Sequence, residues 1–127
     1  MDNLSDFFDS YSGVGVLATS DNLGKVNAAI YARPYFLDET TVLFIMAPKL
    51  THANLKINPN AVYLFVESGD RYQGKRLYLK KQKEEHDEGL VQQICRRCDY
   101  SHHGLNKDHN HSIVYFSVEK VLPLIGE

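Results

Sequence analysis

The chain has 127 residues, 43% of them hydrophobic and 24% charged, an ordinary globular mixture in an amount that supports one core and not two. Its formal net charge of −2, from 14 basic and 16 acidic side chains, gives no positive field for a phosphodiester backbone and excludes nucleic acid as the expected partner. An acidic start (Met1-Asp-Asn-Leu-Ser-Asp), no apolar run near the ~18 residues of a membrane span, and a lone Cys95, Cys98 pair predict a single domain, residues 1–127, in a reducing cytoplasm and off the membrane.

Leu4, Phe7, Phe8 and Tyr11 fall at i, i+3, i+4 and i+7, which predicts a short amphipathic helix over residues 3–11, capped by Asp2 or Asn3 and ended by Ser12-Gly13. Val14 to Ser20, the turn residues Asp21-Asn-Leu-Gly24 and the extended pattern Lys25 to Ala32 read as a hairpin. Pro34 then imposes a bend, and Tyr35 to Leu37 with Thr41 to Met46 form a second hairpin. A two-turn helix is predicted from Thr51 to the stop at Asn58-Pro-Asn60.

Ala61 to Val66 is apolar on both faces, which suits a strand covered by the core on one side and by a helix or a partner subunit on the other. Ser68 to Gly74 is a loop, Lys75 to Glu84 a long strand, and Glu85 to Cys98 a helix with Val91, Ile94, Cys95 and Cys98 on one stripe. After a polar loop from His102 to His111, Ser112 to Val121 is the last strand. Hairpin connections between such short strands predict a mainly β fold, a small closed or partly closed barrel of six strands with two or three short helices.

The most informative stretch for chemistry runs from Met46 through Ala47, Lys49, Leu50, Thr51 and Asn54 to Asn60, because it sets a strand end, a lysine and a threonine directly before a helix. If Thr51 caps with its hydroxyl, the first N–H groups, the positive end of the dipole and Lys49 together match a phosphate monoester. A variant capping box, Thr51-x-x-Asn54, beside a solvated lysine explains the same residues. Upstream, Val26-Asn-Ala-Ala-Ile-Tyr-Ala-Arg33 carries three alanines in a strand, whose small side chains permit close approach of something flat or of another packed element.

Cys95-Arg-Arg-Cys98 with His102-His103 supplies four ligands on paper, but the apolar stripe makes the cysteines small hydrophobes, and no metal is expected. His109-Asn-His111 beside Asp108 fits a polar turn as well as a chelate, and His86 among Glu84, Glu85, Asp87 and Glu88 is a solvated face. With no nucleophile elbow, dinucleotide fingerprint or P-loop, reactivity has to come from a bound cofactor.

The order of hairpin, Ala-Arg-Pro-Tyr-Phe36, strand, Lys49-Leu-Thr-His-Ala-Asn-Leu-Lys-Ile-Asn-Pro59, strand, Gly74-Lys-Arg-Leu-Tyr-Leu79, helix and final strand resembles the pyridoxamine 5'-phosphate oxidase-like FMN-binding proteins over about residues 12–124. The resemblance implies a six-stranded antiparallel split β-barrel and a homodimer with FMN at the subunit interface. It places the phosphate near Lys49, Leu50, Thr51 and Asn54, the ring system along Asn27, Ala28, Ala29, Ile30 and Tyr31, and Met46 and Ala47 between them. Leu50 stands where many members carry a lysine, with Lys49 one step earlier, and the sequence as far as Glu127 shows no counterpart of the substrate-binding arginine and histidine segment of the true oxidases. The implied function is therefore an FMN-dependent oxidoreductase or electron carrier, with Arg33 and Lys75 as cations able to tune the flavin. The alternative is a non-catalytic module for haem, a deazaflavin or another ligand, with His102 or His103 as the haem candidates.

Overall fold

The structure is a computed structural model that describes residues 4–98 and 111–126, with the backbone alone for residues 95–98. In chain order the elements are α1 (Leu4–Ser10), β1 (Gly13–Ser20), β2 (Val26–Ile30), β3 (Tyr35–Phe36), β4 (Thr41–Met46), α2 (Leu50–Ile57), β5 (Asn60–Glu67), β6 (Gly74–Glu85), α3 (Glu88–Cys98) and β7 (Ser112–Pro123).

Seven strands form one antiparallel sheet in the order β2-β1-β5-β6-β7-β4-β3, one more than the six expected. The two-residue β3 pairs with β4 through Tyr35↔Leu43 and Phe36↔Val42 and forms one edge, and no hydrogen-bonded ladder joins that edge to β2 at the other. The sheet is thus not closed, yet its edges are tethered. Residues 31–34 alone separate β2 from β3, and the five peptide steps from Ile30 to Tyr35 reach at most about 18 Å. The sheet is curled into a barrel with an open seam.

The β1–β2 hairpin forms where turn chemistry predicts it. Asp21 Oδ1 accepts the amides of Leu23 at 2.8 Å and Lys25 at 2.9 Å, and Gly24 takes φ 84°, the left-handed region where a Cβ is unfavourable. At the other end of β1, Gly15 allows a crossing contact, because a Cβ there would lie 1.8 Å from the Tyr63 hydroxyl.

The barrel interior holds Leu17, Val42, Phe44, Met46, Tyr63, Phe65, Leu77, Leu79, Val114 and Phe116, with Phe8 of α1 closing one end. Phe8 is 1% exposed and meets the rings of Phe65 at 4.9 Å and Phe36 at 5.8 Å, a burial that stabilises by roughly 1.5–3 kcal/mol. A second cluster lies outside the sheet, where Leu43, Ile45, Ile113 and Tyr115 pack against Val91 and Ile94 of α3.

That second cluster covers two strands from the outside. The strands buried on both faces are β4, whose residues Val42 to Met46 are all buried, and the first half of β7, Ser112 to Phe116, because α3 covers their outer side. In β5, Ala61, Tyr63 and Phe65 point inward and Val62, Leu64 and Val66 are only half-buried. Helix α3 also starts later than expected, with Asp87 accepting the Leu90 amide at 3.1 Å, because β6 keeps pairing with β7 as far as Glu85↔Ile113.

Candidate functional site

Helix α2 begins one residue earlier than its sequence suggests, and this overturns the expected cap. Lys49 is the N-cap, in extended backbone with no side-chain cap bond, and its carbonyl accepts the Ala53 amide at 2.9 Å. Thr51 therefore lies inside the first turn. Its hydroxyl is buried and accepts Asn27 Nδ2 at 3.1 Å, because a polar atom inside needs a partner and β2 provides one. The amides of Leu50, Thr51 and His52 are left without a helical carbonyl or a side-chain cap. They form the positive end of the helix dipole, with the exposed Lys49 beside them.

Asn27 and Tyr31 bring β2 to this helix end. Burial raises the Tyr31 phenol above its ordinary range, against a smaller lowering by its hydrogen bond with Thr51, so the phenol stays protonated. The Tyr31 amide donates to Gly15 O at 3.0 Å. With the register Leu17↔Ala29 and Thr19↔Asn27, ladder alternation turns the peptide groups of Asn27, Ala29 and Tyr31 toward β1 and those of Ala28 and Ile30 toward the free edge. Side chains alternate too, with Ile30 67% exposed.

The remaining sequence-derived residues divide. Leu50 is exposed on the first turn of α2, and Ala47 is half-buried ahead of it. Met46 is 1% exposed and belongs to the barrel core. Asn54 is buried further along the helix and donates from Nδ2 to Thr19 Oγ1 at 3.1 Å, tying α2 to β1. Arg33 Nη1 donates to Phe8 O at 2.6 Å, and Lys75 Nζ sits 4.7 Å over the Phe7 ring, so both cations gather around α1.

Sequence reading missed a charged network on the far side of α2. His52 Nε2 lies 2.9 Å from Glu84 Oε2, and Lys81 Nζ lies 2.7 Å from Glu84 Oε1. Burial works to raise the Glu84 carboxyl, but the hydrogen bonds and charge of Lys81 and His52 outweigh it and hold it at about 2. His52 and Glu84 are far apart in sequence, so no local pattern announces them; the only cue was a histidine on the sheet-facing side of a short helix. His86 is exposed, as expected, 3.5 Å from Ser112 Oγ.

Among the described residues no group of three His, Cys, Asp or Glu is placed to hold a metal. His102, His103, Asp108, His109 and the side chains of Cys95 and Cys98 lie outside the described residues. His111 is buried, and its Nε2 has no hydrogen-bond partner among the described residues. No described helix is long and apolar enough to cross a membrane.

This curled seven-stranded sheet with α2 across one end has the fold of the pyridoxamine 5'-phosphate oxidase-like split barrels. An FMN-binding protein from Syntrophomonas wolfei subsp. wolfei superposes with a TM-score of 0.75 at 18% identity, over 94% of this chain and 82% of that one. A Clostridium acetobutylicum protein related to general stress protein 26 of B. subtilis, of the pyridoxinephosphate oxidase family, matches with 0.68 at 16%, over 94% and 84%. HutZ, the heme storage protein from Vibrio cholerae, matches with 0.68 at 18%, over 96% and 94%. No family model and no curated protein matches the sequence.

Proposed function

We propose that the protein is an FMN-binding flavoprotein, an oxidoreductase or electron carrier of the reducing cytoplasm, that works as a homodimer. The observation that carries the reading is the uncapped N-terminus of α2, with the Lys49 ammonium, set beside the free edge of β2. That donor set fits a phosphate dianion, and it contains no carboxylate.

In this reading Lys49 and the amides of Leu50 and Thr51 hold the phosphate, while the Thr51 hydroxyl fixes Asn27 and so the position of β2. The free-edge peptides of Ala28 and Ile30 face the donor and acceptor edge of the ring system, and Ala47 lines the space between. Met46 and Asn54 act behind these groups, through the core and through Thr19. FMN, when bound, supplies one- or two-electron transfer, and the chain orients it and sets its surroundings.

A second copy of the chain fits the outer face of the barrel. Val16, Ala18, Val26, Val62 and Leu64 lie there, and Val26 is 83% exposed on the edge strand. A sedimentation experiment at micromolar concentration showing only monomer would remove the dimer from the proposal.

The test of the cofactor is spectroscopic. Purified protein is expected to carry, or to take up on titration, FMN with a perturbed visible spectrum, and a colourless protein that leaves the FMN spectrum and fluorescence unchanged ends this reading. The rival is a non-catalytic haem-binding module. It draws on the fold shared with HutZ and on the buried His111, whose Nε2 finds no partner among the described residues, and a Soret band without flavin absorbance is its signature.

A further inference from the structure

A separate cleft of about 350 Å3 opens where β2 leaves β1, at the small end of the range for small-molecule sites (~300–1,000 Å3). Its walls include Tyr11, Gly13, Val14, Ile30, Arg33 and Phe65. Tyr11, Val14 and Ile30 are 48%, 53% and 67% exposed, large apolar surfaces facing one gap.

The backbone in this gap is incomplete in a specific way. Ser68 N–H donates to Ser12 O at 2.9 Å, so Ser12 bonds toward β5, whereas the Tyr31 amide bonds Gly15 from the β2 side. By alternation Gly13 turns its N–H and C=O toward β2, as Gly15 does. The chain has by then diverged toward Pro34, and the ladder between β1 and β2 reaches no further than that Gly15 bond. The peptide groups of Gly13 therefore face the cleft without a partner strand on the β2 side, and the same cleft is lined by Arg33, whose Nη1 donates to Phe8 O.

We propose that this cleft is a binding site for a flat, conjugated organic acid. The ring system lies between Tyr11 on one side and Val14 and Ile30 on the other, and the carboxylate meets the Arg33 guanidinium and the Gly13 amide. A guanidinium suits a planar carboxylate better than a point cation does. Ile30 also belongs to the free edge of β2, so the occupant lies next to the ring seat proposed for FMN, as an organic electron donor or acceptor has to. The binding itself does not depend on that reading.

The experiment is a titration of the full chain, as purified, with 2-naphthoate, followed by amide chemical shifts and repeated with neutral 2-naphthylmethanol and with Tyr11→Ala. Saturable binding is expected, with shifts at Gly13, Val14, Ile30 and Arg33. The neutral analogue is expected to bind at least about tenfold more weakly, the range for losing a charged hydrogen bond, and Tyr11→Ala about two- to tenfold more weakly. No saturation, shifts confined to other surfaces, equal binding of the neutral compound, or a Tyr11→Ala variant that folds and binds normally would each overturn the proposal. FMN titrated separately is expected to shift Leu50, Thr51 and His52, so failure of the flavin reading and failure of this one are told apart by which amides move.

Discussion

The hydroxyl of Tyr63 passes directly over Gly15 and donates to the carbonyl of Tyr31 at 3.0 Å, joining three strands at one point. Burial keeps this phenol protonated, more than the Arg33 charge opposes it. Because a Cβ on residue 15 would meet Tyr63 Oη at 1.8 Å and Cζ at 2.2 Å, Gly15→Ala is expected to destabilise by about 1–3 kcal/mol through overpacking. Tyr63→Phe, which removes only the hydrogen bond, is expected to cost about 0.5–1.5 kcal/mol. Urea denaturation of the two variants measures both, and a neutral Gly15→Ala would mean that the ring is free to move away.

The Glu84 network gives a pH dependence of known sign. Its folded carboxyl, at about 2, lies below the ordinary unfolded value of about 4.3. The stabilisation is present above that unfolded value and is lost as pH falls from about 5 toward 2. Glu84→Gln is expected to lower stability at pH 7 and to flatten the decline in that acid window, read from melting temperatures between pH 7 and 3. An unchanged acid slope would show that other carboxylates govern it.

Asn54 and Thr19 form a closed pair between α2 and β1, both buried. Asn54→Ala leaves the Thr19 hydroxyl without its donor and is expected to cost about 1–3 kcal/mol. Adding Thr19→Val to Asn54→Ala is expected to cost less than the sum of the two single changes, and a double-mutant cycle by chemical denaturation reads that coupling.

Lys49 is exposed and carries no cap bond, so Lys49→Gln is expected to leave stability within about 0.5 kcal/mol. The same change is expected to weaken FMN by about tenfold or more, the range for losing a hydrogen bond to a charged group. The salt dependence of binding should fall with it. Fluorescence titration at two ionic strengths checks this, and an unaltered affinity would move the phosphate away from α2.

Much of the barrel was legible because hairpins announce themselves locally: Asp21 to Gly24 is a turn by residue type, Pro34 marks the break between β2 and β3, and Asn58-Pro59 follows the end of α2. What was not legible depended on contacts across the sheet. The apolar pattern of Ala61 to Val66 and that of Val42 to Met46 look alike, and only the position of α3 decides which is covered by a helix. Thr51 had the composition of a cap, but a buried partner at Asn27 and a helix starting at Leu50 gave its hydroxyl another use. The β1–β2 gap has no sequence signature, since it arises from where two strands part.

The position of β7 has a consequence for how the chain is made. β4, with five consecutive buried residues, has only the two-residue β3 on one side and must wait for β7 on the other. On a ribosome, Val42 to Met46 therefore emerges long before Ser112 to Pro123 can cover it, a sticky segment held open through most of translation. Slowed elongation or truncation ahead of residue 112 should send this protein into aggregates, although β2, β1 and β5 could already be paired.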